Sequence, residues 1–180
     1  GIGIGGAAEG ASYNVGFTHY QTNGISEAED TTAAKSFDKD GFSENAFNAA
    51  FDVKVAKGLR IKPYFRYSYF KGDYDGGSFT DGDGKYTAQL LTTGVQAAYQ
   101  FGKGSLTAFY DYDEIDRSFA DMYGAYPYSG NKKTLELYGN YAFGGHVRLL
   151  AGIHYNKQKM NDTTATPKNP TAELTSPYLS

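Results

Sequence analysis

Seven stretches of this chain alternate apolar with polar residues at period two, and the connections between them are alternately very short and long. The pattern is clearest in Phe47, Ala49, Phe51, Val53 and Val55, and again in Leu135, Leu137, Gly139, Tyr141 and Phe143. Between them stand Asn48, Asp52, Lys54, Glu136 and Asn140, which are polar or charged. A strand sends successive side chains to opposite faces, so each stretch predicts a strand with one apolar and one polar face. Short turns at one end and long loops at the other are the layout of an up-and-down barrel that crosses an outer membrane. The expected fold class is all-β: an antiparallel up-and-down transmembrane β-barrel, with about eight strands here.

The expected strands cover residues 11–21, 42–55, 59–70, 89–101, 105–112, 134–143 and 146–156, with another beginning near Ala172 and a strand end in residues 1–6. Tight turns fall at Ala56-Lys57-Gly58, Gly102-Lys103-Gly104 and Gly144-Gly145, and long loops at 22–41, 71–85, 113–131 and 157–171. Strands of about 9–11 residues cross a bilayer when tilted. Aromatics on the apolar face sort to the strand ends, as a membrane barrel requires. Tyr67, Tyr69, Tyr110, Tyr112 and Tyr155 stand toward the long loops, and Tyr99, Phe101, Tyr141 and Phe143 toward the turns. A soluble sandwich or lipocalin-like binder has no reason to sort them so. Pro63 removes a ladder donor inside a strand, which predicts a bulge or broken pairing there.

Composition narrows the function. The chain has 180 residues, 40% of them apolar, and a mean hydropathy of −0.54, with no run approaching the ~20 apolar residues of a helical span. A barrel tolerates that because half of every strand faces a polar lumen. There are 17 Tyr, 12 Phe and no Trp. Absence of Cys removes disulfides and thiolate metal sites. A net charge of −3 without a basic stripe argues against nucleic acid. His19, His146 and His154 lack any metal or catalytic spacing, and no nucleophile elbow or phosphate loop is present, so no enzyme is expected.

The chain opens inside a strand and stops at Tyr178-Leu179-Ser180 without a terminal aromatic, so an internal slice of a larger barrel is expected. The alternative is a small eight-stranded structural or adhesive barrel, complete in itself.

The stretch Phe37-Asp38-Lys39-Asp40-Gly41-Phe42-Ser43 precedes a strand, after Ser12-Tyr13-Asn14 and Tyr20-Gln21-Thr22-Asn23-Gly24. With Thr163-Thr164-Ala165-Thr166-Pro167-Lys168-Asn169-Pro170 and Ser176-Pro177-Tyr178-Leu179-Ser180, it resembles the early barrel of TonB-dependent outer-membrane receptors. Within that family it is most similar to the cobalamin transporters of Bacteroidetes. The resemblance implies an outer-membrane segment of a barrel with about 22 strands. Its plug, lying outside this chain, would couple to the TonB complex, and a surface lipoprotein is a possible partner. The implied activity is import of a scarce bulky nutrient, cobalamin or otherwise a siderophore.

The resemblance also implies calcium at Asp38 and Asp40, with Asp73, Asp75, Asp81 and Asp83 of the neighbouring loop able to complete the six to eight oxygens the ion takes. The bland alternative is that these Asp-Gly pairs only shape turns. Tyr74, Phe79, Tyr123, Tyr126 and Tyr128 are loop aromatics that could pack on a planar ligand, or on one another. Asp52, Lys54, Arg60, Lys62, Arg66, Glu136 and Arg148 point inward, as lumen ion pairs or as a grip on a plug.

Overall fold

The computed structural model describes residues 1–31, 37–145, 147–162 and 168–180. His146 and residues 163–167 lie outside them. Nine strands form one antiparallel sheet in chain order. They are β1 Ile2–Ala8, β2 Ala11–Thr22, β3 Phe42–Ala56, β4 Leu59–Tyr74, β5 Gly84–Phe101, β6 Gly104–Asp121, β7 Gly124–Phe143, β8 Val147–Asp162 and β9 Thr171–Leu179. Every neighbour is also the neighbour in sequence, so the topology is purely up-and-down.

Registers align the alternation across the whole sheet. On one face, Phe17 pairs with Phe47, Phe47 with Tyr67, and Tyr67 with Leu91. Further along, Val95 pairs with Tyr110, Tyr110 with Leu135, and Leu135 with Tyr155. The opposite face carries Asn14, Asn48, Arg66, Thr92, Asp113 and Lys132. A one-residue slip in any pair would turn a strand's apolar set over, so the alternation itself fixes the register.

The sheet is inside out relative to a soluble protein. Its apolar face is the open one: Phe51, Val55, Leu106, Leu135, Leu137, Leu149 and Ile153 are all exposed. Side chains buried within the strands are Ala88, Thr107, Asp111 and Thr134, all on the polar face. The total accessible surface is 12,201 Å², against roughly 8,600 Å² expected of a compact monomer of this mass. The apolar stretch in β4, β5, β7 and β8 begins at the tight turns and ends near Tyr67, Leu91, Leu135 and Tyr155. That is about nine to eleven residues, roughly 25–35 Å of strand, and beyond it the same face turns polar, as with Gln89, Glu114, Asn131 and Lys159.

The described residues hold nine strands, in keeping with the about eight expected. Two expectations change. The expected loop 113–131 is instead strand: β6 and β7 continue in unbroken register from Asp113↔Lys132 to Asp121↔Gly124, closing on a two-residue turn. Loop 71–85 is likewise shortened, with Tyr74 paired to Gly84. Both faces are polar or mixed in these extensions, so the apolar contrast that marks a strand vanishes although the pairing does not. Pro63 behaves as expected. It keeps Val95 of β5 opposite, while the β3 ladder passes from Ala50↔Tyr64 to Val53↔Ile61 and skips Phe51 and Asp52.

The two outer strands do not meet. β1 touches only β2, and β9 only β8. In an up-and-down sheet of nine, the first and last strands run in the same direction, so joining them could not give an antiparallel pair.

Candidate functional site

Strands that continue past the apolar stretch carry aromatic rings on the polar face. Tyr20, Phe42, Phe70, Tyr86, Phe119 and Tyr128 come one each from β2 to β7. Successive centroids lie 6.0, 6.2, 6.4, 6.2 and 6.3 Å apart. Tyr74 joins from the end of β4, edge-on to Phe119 at 6.0 Å, its hydroxyl donating to the Ala120 carbonyl at 3.3 Å. Cross-strand aromatic pairs stabilise a sheet by roughly 0.2–1 kcal/mol each. A run of six also makes a continuous apolar track on an otherwise polar wall.

Arg117 lies beside this track, opposite Tyr128 and Ala88 in register. One of its terminal nitrogens donates to the Tyr128 hydroxyl at 3.2 Å. Its Nε is buried without a hydrogen-bond acceptor. A buried guanidinium donor left unmade is costly, so the position suits an incoming acceptor oxygen.

Below the track the polar face is cross-linked. Tyr64 donates to Asp111, Thr92 donates to Asp113 at 2.8 Å, and Lys132 pairs with Asp113 at 2.8 Å. Asp52 holds Arg60 at 2.8 Å and Lys62 at 3.3 Å, and Glu136 accepts from Tyr178 at 2.9 Å. Asp52, Lys54, Arg60, Lys62, Arg66, Glu136 and Arg148 all fall on this polar face by register, as the alternation implied.

The acidic loops come together above. One ligand oxygen each from Asp38, Asp40 and Asp75 lie within 4.8 Å of one another. Asp75 is tied in on both oxygens, accepting from Ala28 N at 2.7 Å, Ser26 Oγ at 3.1 Å and Gly82 N at 3.1 Å. Burial works to raise the Asp75 carboxyl, but these donors outweigh it and hold it below its ordinary value. Asp40 accepts from Glu27 N at 2.5 Å; desolvation raises its carboxyl, as do the nearby charges of Asp75 and Asp73. Asp38 shares a hydrogen bond with Asp81, and this, with desolvation and the crowded carboxylates, raises it too.

Of the residues singled out for calcium, Asp38, Asp40 and Asp75 converge and Asp81 touches the group. Asp83 is outside this cluster of three, and Asp73 pairs instead with Lys85 at 2.9 Å. Of the loop aromatics, Tyr74 and Tyr128 are in the track. Tyr126 sits opposite Phe119 on β7. Phe79 and Tyr123 stand apart at 62% and 81% exposure. Sequence reading missed Tyr20, Phe42, Phe70, Tyr86, Phe119 and Arg117. The available signal was parity: these aromatics sit at positions whose neighbours two residues away face the polar side.

No protein-family model matches the chain, and no curated protein matches it. Among solved structures it is similar to BauA, the ferric preacinetobactin receptor from Acinetobacter baumannii, with a TM-score of 0.64 and 12% identity. The match takes in 98% of this chain. It covers 36% of that receptor, so this chain spans about a third of its length. What they share is the fold.

Proposed function

We propose that this chain is a stretch of wall in a bacterial outer-membrane receptor that captures a bulky small molecule for import. The carrying observation is the inversion of faces. An apolar belt of bilayer height lies open on one side, and a polar wall with an aromatic track lies on the other. In water so much exposed apolar surface is a liability, whereas in a bilayer it is the required outer surface. The polar wall then lines a lumen, and the strand extensions that bear the track rise on the long-loop side as a vestibule.

The open edges argue against the small closed barrel. Two outer strands of the same direction call for further strands between them, and the receptor-like fold supplies the precedent. We further propose that the remaining barrel and a plug lie in other segments, with TonB-type coupling. A flat or ring-bearing ligand with an acidic oxygen would meet Tyr86, Phe119 and Tyr128 and engage Arg117. Cobalamin fits the family resemblance and a ferric chelate fits the structural neighbour. Calcium is proposed at Asp38, Asp40 and Asp75, where a cation would relieve the crowding of carboxylates within 4.8 Å of one another.

The test is quenching of tyrosine fluorescence in detergent-folded protein, titrated with cyanocobalamin and with a ferric catecholate. Saturable binding of one of them, weakened about tenfold in Phe119→Ala and in Arg117→Ala, is the expected result. Failure of both ligands to bind, or variants that bind as tightly as the parent, would overturn the vestibule reading. Added EDTA should weaken binding and added calcium restore it; indifference to both would remove the metal.

A further inference from the structure

The outer face of β7 and β8 changes character sharply where the apolar belt ends. Tyr110, Leu135 and Tyr155 form one row in register. The next row up is Tyr112, Lys133, Lys157 and Glu173. Above that, Lys159 faces Asn131 on one side and Thr171 on the other. Two lysines directly opposite each other in an antiparallel ladder repel and destabilise the pair. Lys157 is answered by Glu173, to which it donates. Glu114, the acid nearest on β6, accepts from the Tyr112 hydroxyl at 2.7 Å; Asp116 lies opposite Ser129 at the same margin. Lys133 has the Tyr112 ring at 5.9 Å and forms no ion pair among the described residues; nor does Lys159.

A second observation lies on the same spot. Ser129, Asn131, Lys159, Asn161, Asn169 and Thr171 line a hollow of about 340 Å³ on this face. Below its hydroxyl, amide and ammonium donors comes the Lys133–Lys157 row, and below that the open apolar belt begins with Leu135 and continues to Ile153, which are 49% and 46% exposed. Donors above and hydrocarbon below fit an amphiphile whose acyl chains lie on the belt and whose phosphate rises into the hollow.

We propose that this rim binds the phosphate-bearing headgroup of a membrane lipid, held by Lys133 and Lys159 with the hollow's amides and hydroxyls. The inference rests on the reading of the apolar belt as bilayer-facing and goes beyond it, because it assigns one lipid class to one place on the rim. A free phosphate would satisfy the lysines but leave the belt beneath them uncovered.

The experiment is native mass spectrometry of the full protein released from nanodiscs that contain phosphatidic acid and phosphatidylcholine. Each lysine near a charged surface contributes about fivefold, so Lys133→Gln with Lys159→Gln should retain phosphatidic acid about thirtyfold less than the parent. Phosphatidylcholine adducts should not change. The arginine pair Lys133→Arg with Lys159→Arg should keep the phosphatidic acid, which separates lost charge from lost folding. Equal retention of phosphatidic acid by parent and glutamine variant would overturn the site. So would inorganic phosphate displacing the lipid at equal concentration. A parent that does not enter the nanodiscs would overturn the belt reading and this inference with it.

Discussion

Gly152 lies beneath the ring of Tyr178: a Cβ built on it would meet Tyr178 Cζ and hydroxyl oxygen at 2.5 Å and Tyr138 Cβ at 2.7 Å. The device recurs on the polar face, with Tyr64 over Gly94, Tyr86 over Gly72 and Tyr74 over Gly84. Each glycine leaves a gap on its strand, and a tyrosine from the next strand fills it, at Gly94 and Gly152 also reaching a carboxylate with its hydroxyl. Glycine weakens a strand on its own, so the covering ring offsets a local cost and pins the register. Gly152→Ala should therefore lose about 1–3 kcal/mol through overpacking. With Tyr178→Ala already present, the same change should cost markedly less. Urea unfolding from detergent micelles measures the cycle, and strictly additive losses would show that the ring and the glycine are not coupled.

Among the elements, the acidic loops are the ones whose behaviour depends on pH. Asp75 joins residues 26–28 to Gly82, and its lowered carboxyl means this tether is present above the ordinary carboxylate value of 3.8 and lost as pH falls through its folded value. Asp38 and Asp40 have raised carboxyls, so the sign reverses. Their contribution is full below 3.8 and lost as pH rises through their folded values. Tightening should therefore be greatest above 3.8 and decline as pH rises through the raised values of Asp38 and Asp40. Amide exchange at Ala28 and Gly82, corrected for its intrinsic pH dependence, should show protection falling over that rise and recovering when calcium is added. Protection that only rises with pH would mean that Asp75 alone governs these loops.

The element scale also marks where sequence reading worked and where it stopped. Period-two contrast in 47–55 and 135–143 marked the strands and their faces, because one face there is apolar and the other is not. Beyond Asp113 the outward residues Glu114, Asp116 and Ser118 are as polar as their inward neighbours Asp113 and Arg117, so hydropathy reads a loop where backbone pairing continues. The aromatic track was lost for the same reason. Phe70, Tyr86 and Phe119 lie at polar-face positions, and only cross-strand register reveals that they adjoin. The meeting of Asp38, Asp40 and Asp75 was suggested by resemblance and needed two loops to fold onto one another, which no local pattern encodes.

For the whole molecule, the decisive quantity is the cost of charge on the open face. Leu137 lies inside the belt, flanked in register by Ala108 and Ile153, and is 46% exposed. In a soluble sheet an arginine at such a position would cost within about 0.5 kcal/mol, since water already wets it. Facing hydrocarbon, it should cost about 2–4 kcal/mol, falling to about 0–1 near the interface. Asn131 lies six residues up the same strand and the same face, above the belt. Leu137→Arg should thus lower stability in lipid vesicles by several times more than Asn131→Arg, measured as the shift in urea midpoint at constant slope. Equal, small shifts for the two arginines in vesicles would mean that the apolar face meets no bilayer, and the wall would have to be turned toward another protein instead.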